Sequence, residues 1–383
     1  MTNPAILERR ALLSCLAANR TPQQIHSDIT DPQLSWEKTL DAACQLGIGP
    51  LLYARLGKLG VRDKIPVDVL RQSKARCYSS QARNMKVYAE LKTVLEALTG
   101  EGLPVIVLKG AVLAELVYQH IGLRTMADVD LLVDKKNLDK AGSILERLGY
   151  VPDEHHRDKR WYREHHHHMV PYVSSDGSMT IEIHWHIIER TAFNDFPIEE
   201  LWAHARAVKI ASVPCLTLSA EHMLLHVGLH LSSPNRFQGQ LRGLYDVAEL
   251  LRRYGDDLDW TEVCRVAAIA DARKYLYVVL CLARDTLGAP VPIVAMRQLR
   301  REISFLPFEE QLVMQLGLNA AFIIDVEENS LYEWVLLDLL NGLLGCRTRR
   351  EACQTVITKI AQRARLTMAT KWGRQVESSA RRV

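Results

Sequence analysis

At 383 residues, with 48% hydrophobic residues, 24% charged residues and a net charge of +3, the chain has the make-up of a globular protein of one large or two to three small domains. The charge is uneven: from Cys346 to the end there are ten Lys/Arg against two Glu, which leaves −5 for the rest and argues against a globally basic binder of long nucleic acid. No apolar run reaches membrane-spanning length, no basic-then-apolar leader opens the chain, and the eight cysteines are scattered without a C-x-x-C pair, so a cytoplasmic protein without a zinc ribbon, a disulfide framework or a transmembrane segment is expected.

Residues 1–98 read as a helical region. LSWEKTLDAACQLG suggests a helix stopped at Gly47, and a longer helix near Ser79 to Leu98 carries Val87, Leu91, Val94 and Leu98 as an apolar stripe. Residues 99–198 change character. Val105 to Leu108 form a short β-branched run ending at Lys109-Gly110, and AVLAELVYQH then has helical composition. Glycine at such a strand–helix turn lets backbone approach a ligand, and a helix start aims free N–H groups at an anion. In DVDLLV, strand alternation puts Asp128 and Asp130 on one face and Val129, Leu131 and Val133 on the other. Two carboxylates on one face repel each other unless a cation lies between them, and oxygen-rich sites of this kind suit Mg²⁺. KKNLDKAGSILERLGY reads as a helix between Asn137 and Gly149. HMVPYV and MTIEIHW read as a hairpin about Ser174 to Gly177. The second strand places Glu182, His184 and His186 opposite Ile181, Ile183 and Trp185.

Leu108-Lys109-Gly110, Arg124 with Asp128-Val129-Asp130-Leu131-Leu132-Val133, Gly149-Tyr150 and Glu182-Ile183-His184-Trp185 occur in that order. The pattern resembles the bacterial uncharacterised nucleotidyltransferase family of the polymerase-beta-like nucleotidyltransferase superfamily. The likeness extends upstream through Gly47 to Leu56 and, more weakly, downstream through His222 to His230 and Leu244 to Leu251. It implies an α+β fold: a polymerase-beta-like core of a small mixed sheet with helices, flanked by N-terminal and C-terminal helical regions. It also implies metal-dependent transfer of a nucleoside monophosphate from an NTP, by default ATP, to a hydroxyl-type acceptor on a small molecule, peptide or protein. Asp128, Asp130 and Glu182 would be the catalytic residues and would hold one or two Mg²⁺ ions, with Glu182 helping to deprotonate the acceptor. Lys109, Gly110, Arg124 and His184 would bind the nucleotide. The turn departs from the superfamily's usual Gly-Gly or Gly-Ser, and Lys109 would supply charge in place of a serine hydroxyl. For Arg124, pairing structurally with Asp128 is an equal reading.

Residues 199–345 read as a helical domain. His222, His226 and His230 recur every four residues on a helix that Ser219 caps, and they are read as lining the cleft in preference to a zinc pair. Asp246 either serves the cleft or is a surface or capping carboxylate. The run His165 to His168 is read as an exposed strand edge beside the site, able to touch phosphate when protonated, in preference to a metal cluster. Residues 346–383 form a basic amphipathic tail that by default packs on its own domain and is also suited to a partner or surface contact. No G-x-x-x-x-G-K-[ST], G-x-G-x-x-G or G-x-S-x-G occurs, which argues against a P-loop enzyme, a Rossmann dehydrogenase and an α/β-hydrolase. Two other functions compete. A catalytically degenerate protein would bind nucleotide or a partner on the same fold. A hydrolase built on a metal held by Glu182, His184 and His186 would leave Asp128, Asp130 and Lys109 unused.

Overall fold

The structure, a computed structural model, describes residues 5–153, 159–187, 196–232, 237–323, 331–346, 348, 350–351, 353–355 and 357–358. Most of the basic tail lies outside the described residues. The fold is mixed α+β, with one seven-stranded mixed sheet and many helices. No helix is long and apolar enough to cross a membrane among the described residues.

Five helices precede the sheet. Pro22–Ile29 opens on a capping box, in which Thr21 and Gln24 each satisfy the other's backbone N–H. Trp36–Gln45 ends just before Gly47, as read, and Gly49–Lys58 follows. The long helix is Val67–Gly100, which begins well before Ser79, and its buried side includes Val87, Leu91, Val94 and Leu98. No turn residue breaks the polar 67–78 segment, so the helix extends N-terminally past the stripe that marks it.

The strands are β1 Ile106–Val107, β2 Val129–Leu132, β3 Val151–Pro152, β4 Tyr172–Val173, β5 Thr180–His184, β6 Arg206–Ile210 and β7 Val213–Thr217. Their order across the sheet is β3-β4-β5-β2-β1-β7-β6. β4 and β5 form the antiparallel hairpin expected around Asp176-Gly177. β2 and β5 run parallel, with Asp130 beside Glu182 and Leu132 beside His184. The helical reading of 199–345 is corrected at 206–217, where β6 and β7 pair antiparallel and β7 adds to β1 in parallel. That hairpin turns on Ala211 and Ser212, both with positive φ (50° and 68°). Neither is the Asn or Gly that usually marks such a turn, which is why composition hides it.

The remaining helices pack beyond the sheet. Ala220–Ser232 and Leu241–Tyr254 pack on each other, and Leu241–Tyr254 also meets the π-turn Leu113–Val117. A buried ion pair ties the sheet to this layer. Arg124, just ahead of β2, forks onto Asp246 with Nε 3.0 Å from Oδ1 and Nη2 2.9 Å from Oδ2. Tyr118 donates to the same carboxylate at 2.8 Å, and Asn84 of the long helix donates to the Arg124 carbonyl at 2.7 Å. A second buried ammonium, Lys274, pairs with Glu309 and donates to the carbonyls of Leu343 (2.6 Å) and Cys346 (3.1 Å) at the C-terminal end of Leu331–Gly345.

Both pairs are buried, so removing one partner strands the other charge, a cost of roughly 3–5 kcal/mol. Asp246→Ala and Lys274→Met are each expected to lower the unfolding free energy by about that amount in urea titrations. A change under about 1 kcal/mol in either would mean that water reaches the group left behind.

Candidate active site

Asp130 is the centre of the site. Its side chain is almost fully buried, on a strand whose residues are all buried. Its Oδ1 meets two nitrogens, the Lys109 ammonium Nζ at 3.1 Å and His184 Nε2 at 2.9 Å. Burial alone would push the Asp130 carboxyl up. The Lys109 charge and the His184 hydrogen bond outweigh it and hold the group well below the usual carboxylate range. His184 is the counterpart. Burial disfavours its charge, but its hydrogen bonds to Asp130 and to Glu182 (3.3 Å) prevail and raise it above the ordinary imidazole value. Glu182 is likewise pushed up by burial, and His184 and His168 bring it down overall. One ligand atom each from Asp130, Glu182 and His184 lies within 4.8 Å of the others, the spacing of donors around one ion.

Asp128 behaves differently. It opens to solvent at the mouth of the cleft, yet enough protein surrounds it that burial, followed by repulsion from Asp130 and Glu182, raises its pKa. Asp130 on β2 and Asp128 just ahead of that strand are thus pushed in opposite directions, and Asp128 is the carboxylate with the most to gain from an added cation.

Lys109 reaches Asp130 from a left-handed backbone (φ 39°), an unusual conformation for a non-glycine residue. At Gly110, a Cβ would stand 2.7 Å from Arg124 Nη1, so glycine is required for the turn to pass the guanidinium. The helix that follows is a single turn, Lys109–Val112, continued by the π-turn. Lys109, Gly110, Arg124, Asp128 and Asp130 all border one cleft against the two helices of the second layer, which contribute His230, Arg242 and Asp246.

Several expectations change here. Arg124 lines the cleft, but its charge is taken by Asp246, not Asp128. Asp246 is neither at the surface nor a cap; it is buried and belongs to the cleft wall. Of the three histidines on that helix, His230 borders the cleft, and burial and Lys109 push its pKa down to about 3. His226 is buried behind it, and His222 bonds Ser219 Oγ at 2.9 Å. The His165–His168 run is not an open edge. His168 is buried, forms a bridge to His184 and has its pKa lowered by burial to about 4, so it is neutral near pH 7. His186 turns away to the Phe196 carbonyl at 3.0 Å and so stands apart from the Asp130–Glu182–His184 group. Sequence reading missed Arg242, since one arginine in a helix carries no signal of its own.

Residues 32–288 match the family model described as uncharacterised nucleotidyltransferase. No curated protein matches the chain. Among solved structures, it is similar to the antibiotic-resistance factor ANT(2'')-Ia, studied in solution, with 13% identity and a TM-score of 0.36 over 51% of this chain and 96% of that one. With the matched region spanning well over half of its length, the chain belongs to the uncharacterised nucleotidyltransferase family, and its reaction class is nucleotidyl transfer.

Proposed function

We propose that the protein is a divalent-metal-dependent nucleotidyltransferase that moves a nucleoside monophosphate from an NTP, by default ATP, to a hydroxyl of an acceptor bound at the open side of the cleft. The observation that carries this reading is the pairing of Asp130 with Glu182 on adjacent parallel strands, with Asp130 and Asp128 both bordering the cleft. The donors fit a hard cation such as Mg²⁺: three carboxylates, crowded enough that one has its pKa raised, with the His184 Nε2 spent on hydrogen bonds to two of them. When bound there, the ion supplies positive charge to the triphosphate and to the departing pyrophosphate.

The residues of the chain divide the remaining work. Asp128, Asp130 and Glu182 hold the ion. The Gly110 turn offers close backbone approach to the phosphates, and Lys109, paired with Asp130, keeps that aspartate charged beside them. Glu182, whose side chain keeps 21% of its exposure, would take the proton of the acceptor hydroxyl. His184 bridges Asp130 and Glu182 and fixes their orientation. As the acceptor oxygen bonds to the α-phosphorus, the α–β phosphoanhydride breaks and pyrophosphate leaves. The site is a cleft walled by the sheet and two helices, which supports a small molecule or a protruding side chain as acceptor over a long nucleic acid.

Pyrophosphate release should be measured with each of the four NTPs and Mg²⁺, with cell extract as the acceptor source. The wild type is expected to release it, and the Asp128→Ala, Asp130→Ala double variant to fall by on the order of a hundredfold or more. Absence of both Mg²⁺-dependent NTP binding and release in the wild type would sink the enzyme reading. Binding without release would favour the degenerate-binder alternative.

A further inference from the structure

Three long cationic side chains border the cleft: Lys109, Arg124 and Arg242. Two are already balanced, Lys109 by Asp130 at 3.1 Å and Arg124 by its forked pair with Asp246. Arg242 is not. Among the described residues no carboxylate lies within ion-pair distance of it. Its Nη1 donates to the Thr125 carbonyl (3.2 Å) and to Thr125 Oγ1 (3.1 Å), and both are neutral acceptors. Burial, and then the neighbouring Arg124, lower its pKa; the Asp246 and Asp128 charges act the other way from beyond ion-pair distance and do not offset them. A guanidinium kept in such a place gains most from an anion that the protein does not itself provide.

The seat is built from three distant parts of the chain. Gly47 has φ +70°, and a Cβ there would stand 3.1 Å from both Arg242 Nη1 and Thr125 Oγ1. The Gly47 carbonyl accepts from Thr125 Oγ1 at 3.0 Å. The glycine that ends the Trp36–Gln45 helix therefore leaves the room that Arg242 fills, and Thr125 orients the guanidinium from the other side. This gives the Gly47 to Leu56 stretch, otherwise only a resemblance to the family, a part in the site.

We propose that Arg242 is the seat for the triphosphate of the nucleotide, the role that sequence reading gave to Lys109 and Arg124. The inference rests on the nucleotidyl-transfer reading and deepens it. Arg124 serves as the structural cation, Lys109 as the cation of the catalytic aspartate, and Arg242 as the cation left for the substrate. The planar fork of a guanidinium matches the paired oxygens of a phosphate chain. Arg242 borders the same cleft as Asp128 and Asp130, so a phosphate chain seated on it lies in the cleft of the catalytic acids.

The test is calorimetric binding of sodium tripolyphosphate in EDTA, so that no metal contributes, followed by ATP with Mg²⁺. The proteins are the wild type, Arg242→Gln, Arg242→Lys and Gly47→Ala, each checked for folding by circular dichroism. The wild type is expected to bind tripolyphosphate without metal. Arg242→Gln should weaken both ligands by roughly 10- to 100-fold, the loss of a charge-assisted contact. Lysine keeps the charge without the fork and should fall between the two. Gly47→Ala leaves every charge in place but crowds the guanidinium, and it should weaken binding as well. Wild-type affinity in Arg242→Gln, or no metal-free binding by the wild type, would overturn the proposal. Should the glutamine variant not fold, unchanged binding in both Arg242→Lys and Gly47→Ala would overturn it equally. Tripolyphosphate binding that depends on Arg242, without pyrophosphate release, would keep the anion seat and remove the enzyme. Release with no dependence on Arg242 would keep the enzyme and remove the seat.

Discussion

A carboxylate inside a protein must have a positive partner, and the site is arranged around that requirement at Asp130. Strand β2 is buried along its whole length, so Asp130 cannot rely on water. Lys109 and His184 meet it from two sides. The lysine does so from a left-handed backbone and the histidine from the neighbouring strand, so both the turn after β1 and the register between β2 and β5 are committed to one oxygen atom. With Asp130 thus satisfied, the repulsion it exerts falls on Asp128, which faces the cleft. The strands determine where charge is settled and where it is left open, and the chemistry follows from the open end.

A similar division holds for the cations. The Arg124–Asp246 pair joins residues 122 positions apart, with Tyr118 sharing the carboxylate and Asn84 holding the Arg124 backbone. It is part of the cleft wall and also the fastening between sheet and helices. A wall made of paired, buried charges is stiff, because any displacement would separate ions in a medium that screens them poorly. The cleft is therefore shaped before a ligand arrives, which spares a ligand the cost of ordering it.

How much of this could be read from sequence depends on how local the cause is. Alternation along a strand is local, so the common face of Glu182 and His184 and the hairpin at Asp176-Gly177 were legible. The Gly47 and Gly149 helix stops were also legible. That Asp130 and Glu182 would stand side by side was not, since alternation gives a face but no register. Arg124 looked like a partner for the nearest carboxylate in sequence, whereas its partner lies on a helix that only the folded chain brings near. The β6–β7 hairpin turned on Ala211-Ser212, without the residues that announce a turn, and so passed for part of a helical region. The histidine run looked like a solvated edge because four polar residues in a row usually are one. The bridge between His168 and His184 draws it inward instead.

The pairing of β1 with β7 has a consequence for any attempt to divide the protein. β1 is only two residues long, and it is held between β2, which follows it closely, and β7, which arrives after more than a hundred further residues. A fragment ending before Arg206 would leave β1 as an open sheet edge and Arg124 without its counter-ion. The stretch that carries all three acids is thus not a portable module. It cannot be grafted, expressed alone or recombined with a foreign C-terminal half unless that half brings a strand for β1 and a carboxylate for Arg124.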